Sequence, residues 1–126
     1  MRRILFLTAA LNGLAAVIMG AVTQHGFSGD AQRAEWARIG ILYGLPHAAA
    51  ILALLALQAP PRKLSTRLLK AAQASLALGA TLFPFSLYLA ALGAPTVILK
   101  ATPAGGTLMI LGWVFLLIFG LTQAKT

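Results

Sequence analysis

Two histidines, His25 and His47, are the residues of this chain best suited to chemistry, since imidazole changes charge near neutral pH. His47 follows Pro46, whose missing N–H frees the carbonyl of Leu42 and predicts a helix kink. Tyr43 stands four residues before His47, so a helix places both on one face. In a second apolar stretch Pro84 frees the carbonyl of Ala80, with Thr81, Ser86 and Tyr88 close by. The spacing predicts a kinked, polar patch shared by the two stretches. Three roles suit it. A neutral imidazole held by a freed carbonyl and a hydroxyl locks two helices together. A titrating His47 relays protons or binds a ligand. His25 and His47, if they face one cavity, ligate a haem axially. An ionisable side chain inside a membrane is costly and therefore a functional suspect. The lock asks least of the sequence and is the favoured expectation.

Much other chemistry is excluded. The chain has no cysteine, so it holds no thiolate nucleophile, disulfide, iron–sulfur ligand or sulfur-bound zinc. Its only acids, Asp30 and Glu35, share one polar break. A hydrolytic or acyl-transfer site would lack an acidic partner, and proton-coupled export would lack an intramembrane carboxylate. No enzyme activity, cofactor or metal is expected.

The elements that must position these residues are apolar stretches at 4–24, 39–57, 71–92 and 105–122, none of which contains Asp, Glu, Lys or Arg. At a rise of about 1.5 Å per residue each spans about 27–33 Å, the thickness of a bilayer's hydrocarbon core. With 60% hydrophobic and 10% charged residues and a mean hydropathy of +0.87, the chain is far from a soluble domain. The expected fold is an all-α membrane protein: one domain over 1–126, four transmembrane helices in an up-down bundle. Met1-Arg2-Arg3 ahead of an apolar run also resembles a secretory signal. The run reaches Val22 without a clear small-x-small cleavage site, and Asn12-Gly13 interrupts it, so the first span is expected to be retained.

The net charge of +8 is distributed by side. Arg2, Arg3, Arg62, Lys63, Arg67, Lys70 and Lys125 fall on one side of the spans, and Arg33, Arg38 and Lys100 on the other. Seven against three places both termini and the loop after the second span in the cytoplasm. The basic loop suits anionic headgroups, so the expected partner is the lipid bilayer and not nucleic acid.

Punctuation is local. Gly26 ends the first helix; Asp30 caps the second, with Arg33, Glu35 and Arg38 in the headgroup layer and Trp36 as an interface anchor. Pro60-Pro61 stop it. Ser65 or Thr66 caps the third helix, which ends near Gly93 with Pro95 beyond. Thr102 and Pro103 read as N-cap and first residue of the fourth. Small residues mark packing seams within the monomer: Ala16 and Gly20; Gly40, Gly44 and Ala48; Ala71, Ser75 and Gly79; Gly105 and Gly112. Leu54 is placed on the lipid face.

The motifs together resemble a known family. Gly20-Ala21 with His25-Gly26, Tyr43 with His47-Ala48, Phe83 with Ser86-Leu87-Tyr88, and Thr102-Pro103-x-Gly105-Gly106 with Gly112-Trp113 occur in order along nearly the whole chain. This is similar to the domain-of-unknown-function family numbered 423, small inner-membrane proteins. The chain departs from the family pattern at Thr23-Gln24, Gly44, Pro46 and Pro84-Phe85, as a divergent member would. The resemblance implies four spans and an inner-membrane or mitochondrial setting, with no reaction attached. The resulting expectation is a multi-pass protein of the bacterial inner (plasma) membrane, acting by binding as an accessory or assembly subunit or as a homo-oligomer. Two alternatives stand: a small-solute carrier or channel lined by His47, Tyr43 and the hydroxyls, and a haem- or quinone-binding redox anchor.

Overall fold

The computed structural model describes residues 1–59 and 66–123. Four helices are long and apolar enough to cross a membrane: α1 Arg2–His25, α2 Ala31–Leu57, α3 Arg67–Ala91 and α4 Thr102–Gln123, the last preceded by a 3-10 helix over Thr96–Ala101. The protein is therefore an all-α membrane protein. α2 has 27 residues, about 40 Å at the helical rise, against a core of about 30 Å. Its first two turns extend beyond the span, and there Arg38 pairs with Glu35 at 2.8 Å.

Local signals act where the sequence places them. Asp30 accepts from the amide of Arg33 at 3.0 Å, and Thr66 from that of Leu69 at 3.1 Å. Gly93 follows α3 at φ +103, a left-handed conformation that glycine adopts without a Cβ penalty. Thr102 is a correction. Its φ of −58 and ψ of −48 are helical, because the 3-10 segment runs directly into α4 and leaves it no capping position. The Pro60-Pro61 stop, the alternative cap Ser65, and the loop and tail cations Arg62, Lys63 and Lys125 lie outside the described residues.

Sequential helices run antiparallel. Arg2 opens α1 and donates to the carbonyl of Gln58 at the end of α2, at 3.5 Å. Gln58 and Gln73 join the same end of α2 and α3, while Gly40 meets Tyr88 at the other. α3 is the centre: 56% of its span is buried, against 28%, 33% and 22% for α1, α2 and α4. It packs on all three, and α1 also packs on α2, whereas α4 packs on α3 and the 3-10 segment. The bundle is thus a cluster of α1, α2 and α3 with α4 laid along one flank.

The sequence explains how each helix buries one stripe. In α1 the stripe is Leu5, Ala9, Asn12, Ala16 and Met19; in α4 it is Gly105, Met109, Gly112 and Phe119. These positions recur every three to four residues, or seven from Gly112 to Phe119, the period of one helical face. Glycines let backbones meet where apolar area alone supplies no drive. A Cβ at Gly79 would lie 2.7 Å from the Gly105 carbonyl oxygen, and one at Gly112 would lie 2.6 Å from the Leu76 side chain. A Cβ at Gly105 would meet the Phe83 backbone, and one at Gly40 the Tyr88 ring. Gly20 departs from expectation: nothing lies within 4 Å of its Cβ position, so it contributes no seam. Ser75 is half-buried beside the Gly79 contact. Leu54 is buried in the core at 7% exposure, not on the lipid face.

Candidate functional site

His47 is the polar centre of the spans and is 9% exposed. Its Nδ1 lies 2.7 Å from the carbonyl oxygen of Tyr43, one turn earlier, and its Nε2 lies 3.0 Å from Nε1 of Trp113 on α4. A carbonyl only accepts and an indole N–H only donates. The ring is therefore the neutral Nδ1–H tautomer, donating to Tyr43 and accepting from Trp113. Both ring nitrogens are occupied. The two rings meet edge to face, with centroids 6.0 Å apart.

This bond links α2 to a helix that does not otherwise pack on it. Beneath it runs an apolar groove of about 350 Å³, with Phe83 and Met109 as its floor, Gly106 on one wall, and Tyr43, Ile110 and Trp113 at its rim. Tyr43 and Phe83 stack edge to face at 5.1 Å. Tyr43, Ile110 and Trp113 are 43%, 66% and 50% exposed, so the groove opens sideways, toward the surroundings of the bundle.

Trp113 enters the sequence analysis only within a family motif, yet two signals point to it. His47 and Trp113 each lie eight residues after the starts of their apolar stretches, at 39 and 105. In an up-down order α2 and α4 run in the same direction, which sets both about 12 Å deep. Tryptophan in membrane proteins concentrates at the interfaces, so one at that depth calls for a polar partner.

The other expected residues do not converge on His47. Ser86, 3% exposed, donates to the carbonyl of Phe83 at 2.8 Å. With its proton so used, its oxygen accepts from Thr102 at 2.6 Å, pinning the start of α4 to α3. Tyr88 fills the notch made by Gly40 and Gly44, and its buried hydroxyl has no hydrogen-bond partner. Thr81 faces α1, accepting from Asn12 Nδ2 at 3.2 Å and donating to the carbonyl of Ala77 at 2.8 Å. The shared patch between the second and third spans is thus three separate ties, because Thr81, Ser86 and Tyr88 point in different directions around α3.

His25 is exposed at the end of α1 and lines none of the surface around His47. The paired histidine geometry for haem is not present. Among the described residues no group of three or more His, Asp or Glu is placed to hold a metal ion. Two buried amides carry further helix ties that the sequence reading did not use: Asn12, which also donates to the carbonyl of Thr8 at 2.8 Å, and Gln73, which donates to Gln58 at 3.2 Å. Outside the span, the hydrogen bond from Arg38 holds the Glu35 carboxyl below the usual carboxylate range, and Glu35 in turn raises Arg38.

The fold and its closed histidine define a small helical membrane protein whose polar side chains bind its own helices together. The chain belongs to the family described as Protein of unknown function (DUF423), whose model matches residues 19–106. It is 38% identical over 109 residues to a UPF0382 membrane protein of Haemophilus influenzae, an alignment covering 85% of each chain. No solved structure matches it.

Proposed function

We propose that this protein is non-enzymatic and acts by binding within the membrane, as an accessory or assembly subunit of a larger complex in the bacterial inner membrane. In this reading both termini and the loop joining α2 to α3 lie in the cytoplasm, on the side that carries seven of the ten cations. The observation that carries it is the saturated state of His47. An axial ligand needs an open ring nitrogen, and a proton relay needs partners that exchange protons, whereas here one nitrogen is held by the peptide carbonyl of Tyr43 and the other by the Trp113 indole of α4. The lateral opening of the groove also suits a contact made from within the bilayer better than a path along the bundle axis.

Surfaces suited to such contacts are present. α1 shows Ile4, Leu14 and Val17, and α4 shows Ile110, Leu117 and Leu121, each more than half exposed. The test is detergent-free extraction at native expression into polymer-bounded discs, followed by native mass spectrometry and an absorption spectrum. The expected result is an assembly of fixed stoichiometry heavier than the 13.1-kDa chain. A uniform monomer, or a monomer with a Soret band, would overturn the proposal.

A further inference from the structure

Outside the spans, the start of α2 and the turn that follows α3 enclose a cavity of about 230 Å³ that carries one charge of each sign, Asp30 and Arg33. The two are joined but not closed. Arg33 reaches the Asp30 carboxylate only through Nε, at 3.3 Å, and each side chain is about half exposed. Its Nη1 and Nη2 have no partner among the described residues, and neither has the Thr96 hydroxyl that lines the same cavity. Arg38, by contrast, gives both Nε and Nη2 to Glu35, at 2.9 and 2.8 Å, and forms a closed pair. A guanidinium with free N–H groups in its planar fork is the complement of a phosphate. A carboxylate beside it has lone pairs left to accept from an ammonium. Together they match a zwitterion in which a phosphate and a primary amine are neighbours. We propose that this cavity binds the headgroup of a zwitterionic aminophospholipid of the phosphatidylethanolamine type, its phosphate on Arg33 and its ammonium on Asp30.

The position is that of a lipid headgroup. Arg33 precedes the uncharged stretch at 39 by six residues, or about 9 Å, and the half-buried Trp36 marks the interface. Trp36 also lines the cavity, and an aromatic wall favours a cation. The volume is below the ~300–1,000 Å³ of pockets that engulf a small molecule, which suits a compact headgroup. The carboxylate disfavours an anionic head, and a choline head has no N–H to give it. A place for the rest of the lipid lies beneath. Seven residues separate Trp36 from Tyr43 and Phe83 from Ala90, two turns of each helix, so the apolar groove sits on the same face, about 10 Å deeper. Its polar edge is closed by the His47–Trp113 bond, which leaves an apolar trough for an acyl chain. This inference does not depend on the subunit reading, since a monomer holds the lipid as well as a complex does.

The test follows the indole signals of Trp36 and Trp113, the two tryptophans of the chain, by ¹H–¹⁵N correlation in phosphatidylcholine nanodiscs. Phosphatidylethanolamine or phosphatidylglycerol with the same acyl chains replaces a rising share of the host lipid. The expected result is a saturable shift of the Trp36 signal, with Trp113 unmoved because the chains are unchanged. Phosphatidylethanolamine should reach the midpoint at about a tenfold lower mole fraction than phosphatidylglycerol, roughly the worth of one hydrogen bond to a charged group. Arg33→Gln should abolish the shift; should that variant fold poorly, Thr96→Val gives the same reading by weakening it. Asp30→Asn keeps a side-chain oxygen for the N-cap of α2 and removes the charge, so it should erase the preference between the two lipids. Soluble phosphoethanolamine at the same molar ratio should move neither signal. An equal or tighter response to phosphatidylglycerol, a shift that never saturates, a shift unchanged in Arg33→Gln and Thr96→Val, or one reproduced by soluble phosphoethanolamine would overturn the assignment.

Discussion

Gly79→Ala adds one methyl group at the point where α4 is held. Its Cβ would lie 2.7 Å from both the carbonyl oxygen of Gly105 and the amide nitrogen of Met109, whereas ordinary contact begins at 3.4 Å. Both atoms are backbone, so no rotamer relieves the clash and the helices must part by 0.7 Å, the difference of those two distances. A gap of ~0.5–1 Å forfeits about a quarter to a half of each dispersion contact along the seam. Overpacking of this kind costs about 1–3 kcal/mol, and alanine's better helix propensity offsets up to about 1 kcal/mol. With the full offset the net loss is about 0–2 kcal/mol, or about 1–3 kcal/mol relative to a control with the same propensity gain, with the His47–Trp113 bond lengthened as α4 moves outward. The control is Gly20→Ala, which meets nothing within 4 Å and should be neutral or stabilising by up to about 1 kcal/mol. Reversible unfolding in mixed dodecyl sulfate and maltoside micelles, followed by circular dichroism, measures both. A Gly79→Ala variant as stable as Gly20→Ala would refute the account of how α4 is held.

Further tests are direct. A double-mutant cycle of His47→Leu and Trp113→Phe should show a coupling of about 0.6 kcal/mol, the average for hydrogen bonds between membrane helices, and at most about 1.7 kcal/mol; additivity would mean that the bond does not hold α4. Tyr88→Phe removes a buried hydroxyl that has no partner, so stability should hold or rise by about 1 kcal/mol, and a clear loss would reveal a partner. The Glu35 carboxyl should titrate below its ordinary 4.5. Because the folded value is lowered, its pairing with Arg38 is intact at neutral pH and is lost as pH falls through that value; Arg38→Gln should move the NMR midpoint upward. Single cysteines at positions 63 and 125 should be shielded from impermeant reagents outside intact cells, and those at 30 and 100 labelled; the reverse pattern would invert the topology.

The amino-acid sequence by itself determined what is local. In lipid each span must satisfy its own backbone, so four long uncharged stretches had to be helices, and their limits follow from Asp30, Thr66 and Gly93. Each of those signals acts within a turn of its own residue. The tertiary structure decided which faces meet. Side chains advance by about 100° per residue around a helix, so Thr81, Ser86 and Tyr88, near neighbours in sequence, serve α1, α4 and α2 in turn. Gly20 and Gly79 are the same residue in the same kind of motif, yet one faces open space and the other a backbone. Small residues are too abundant in such spans for spacing to distinguish them. Nor does any local rule bring Trp113 to His47, 66 residues away. Their meeting needs α2 and α4 to flank the same face of α3, and that arrangement rests on the glycine contacts at Gly79, Gly105 and Gly112. The sequence reading expected His47 to be held by a freed carbonyl and a hydroxyl between the second and third spans; that the Tyr43 carbonyl and the Trp113 indole of α4 meet it instead required the packed bundle.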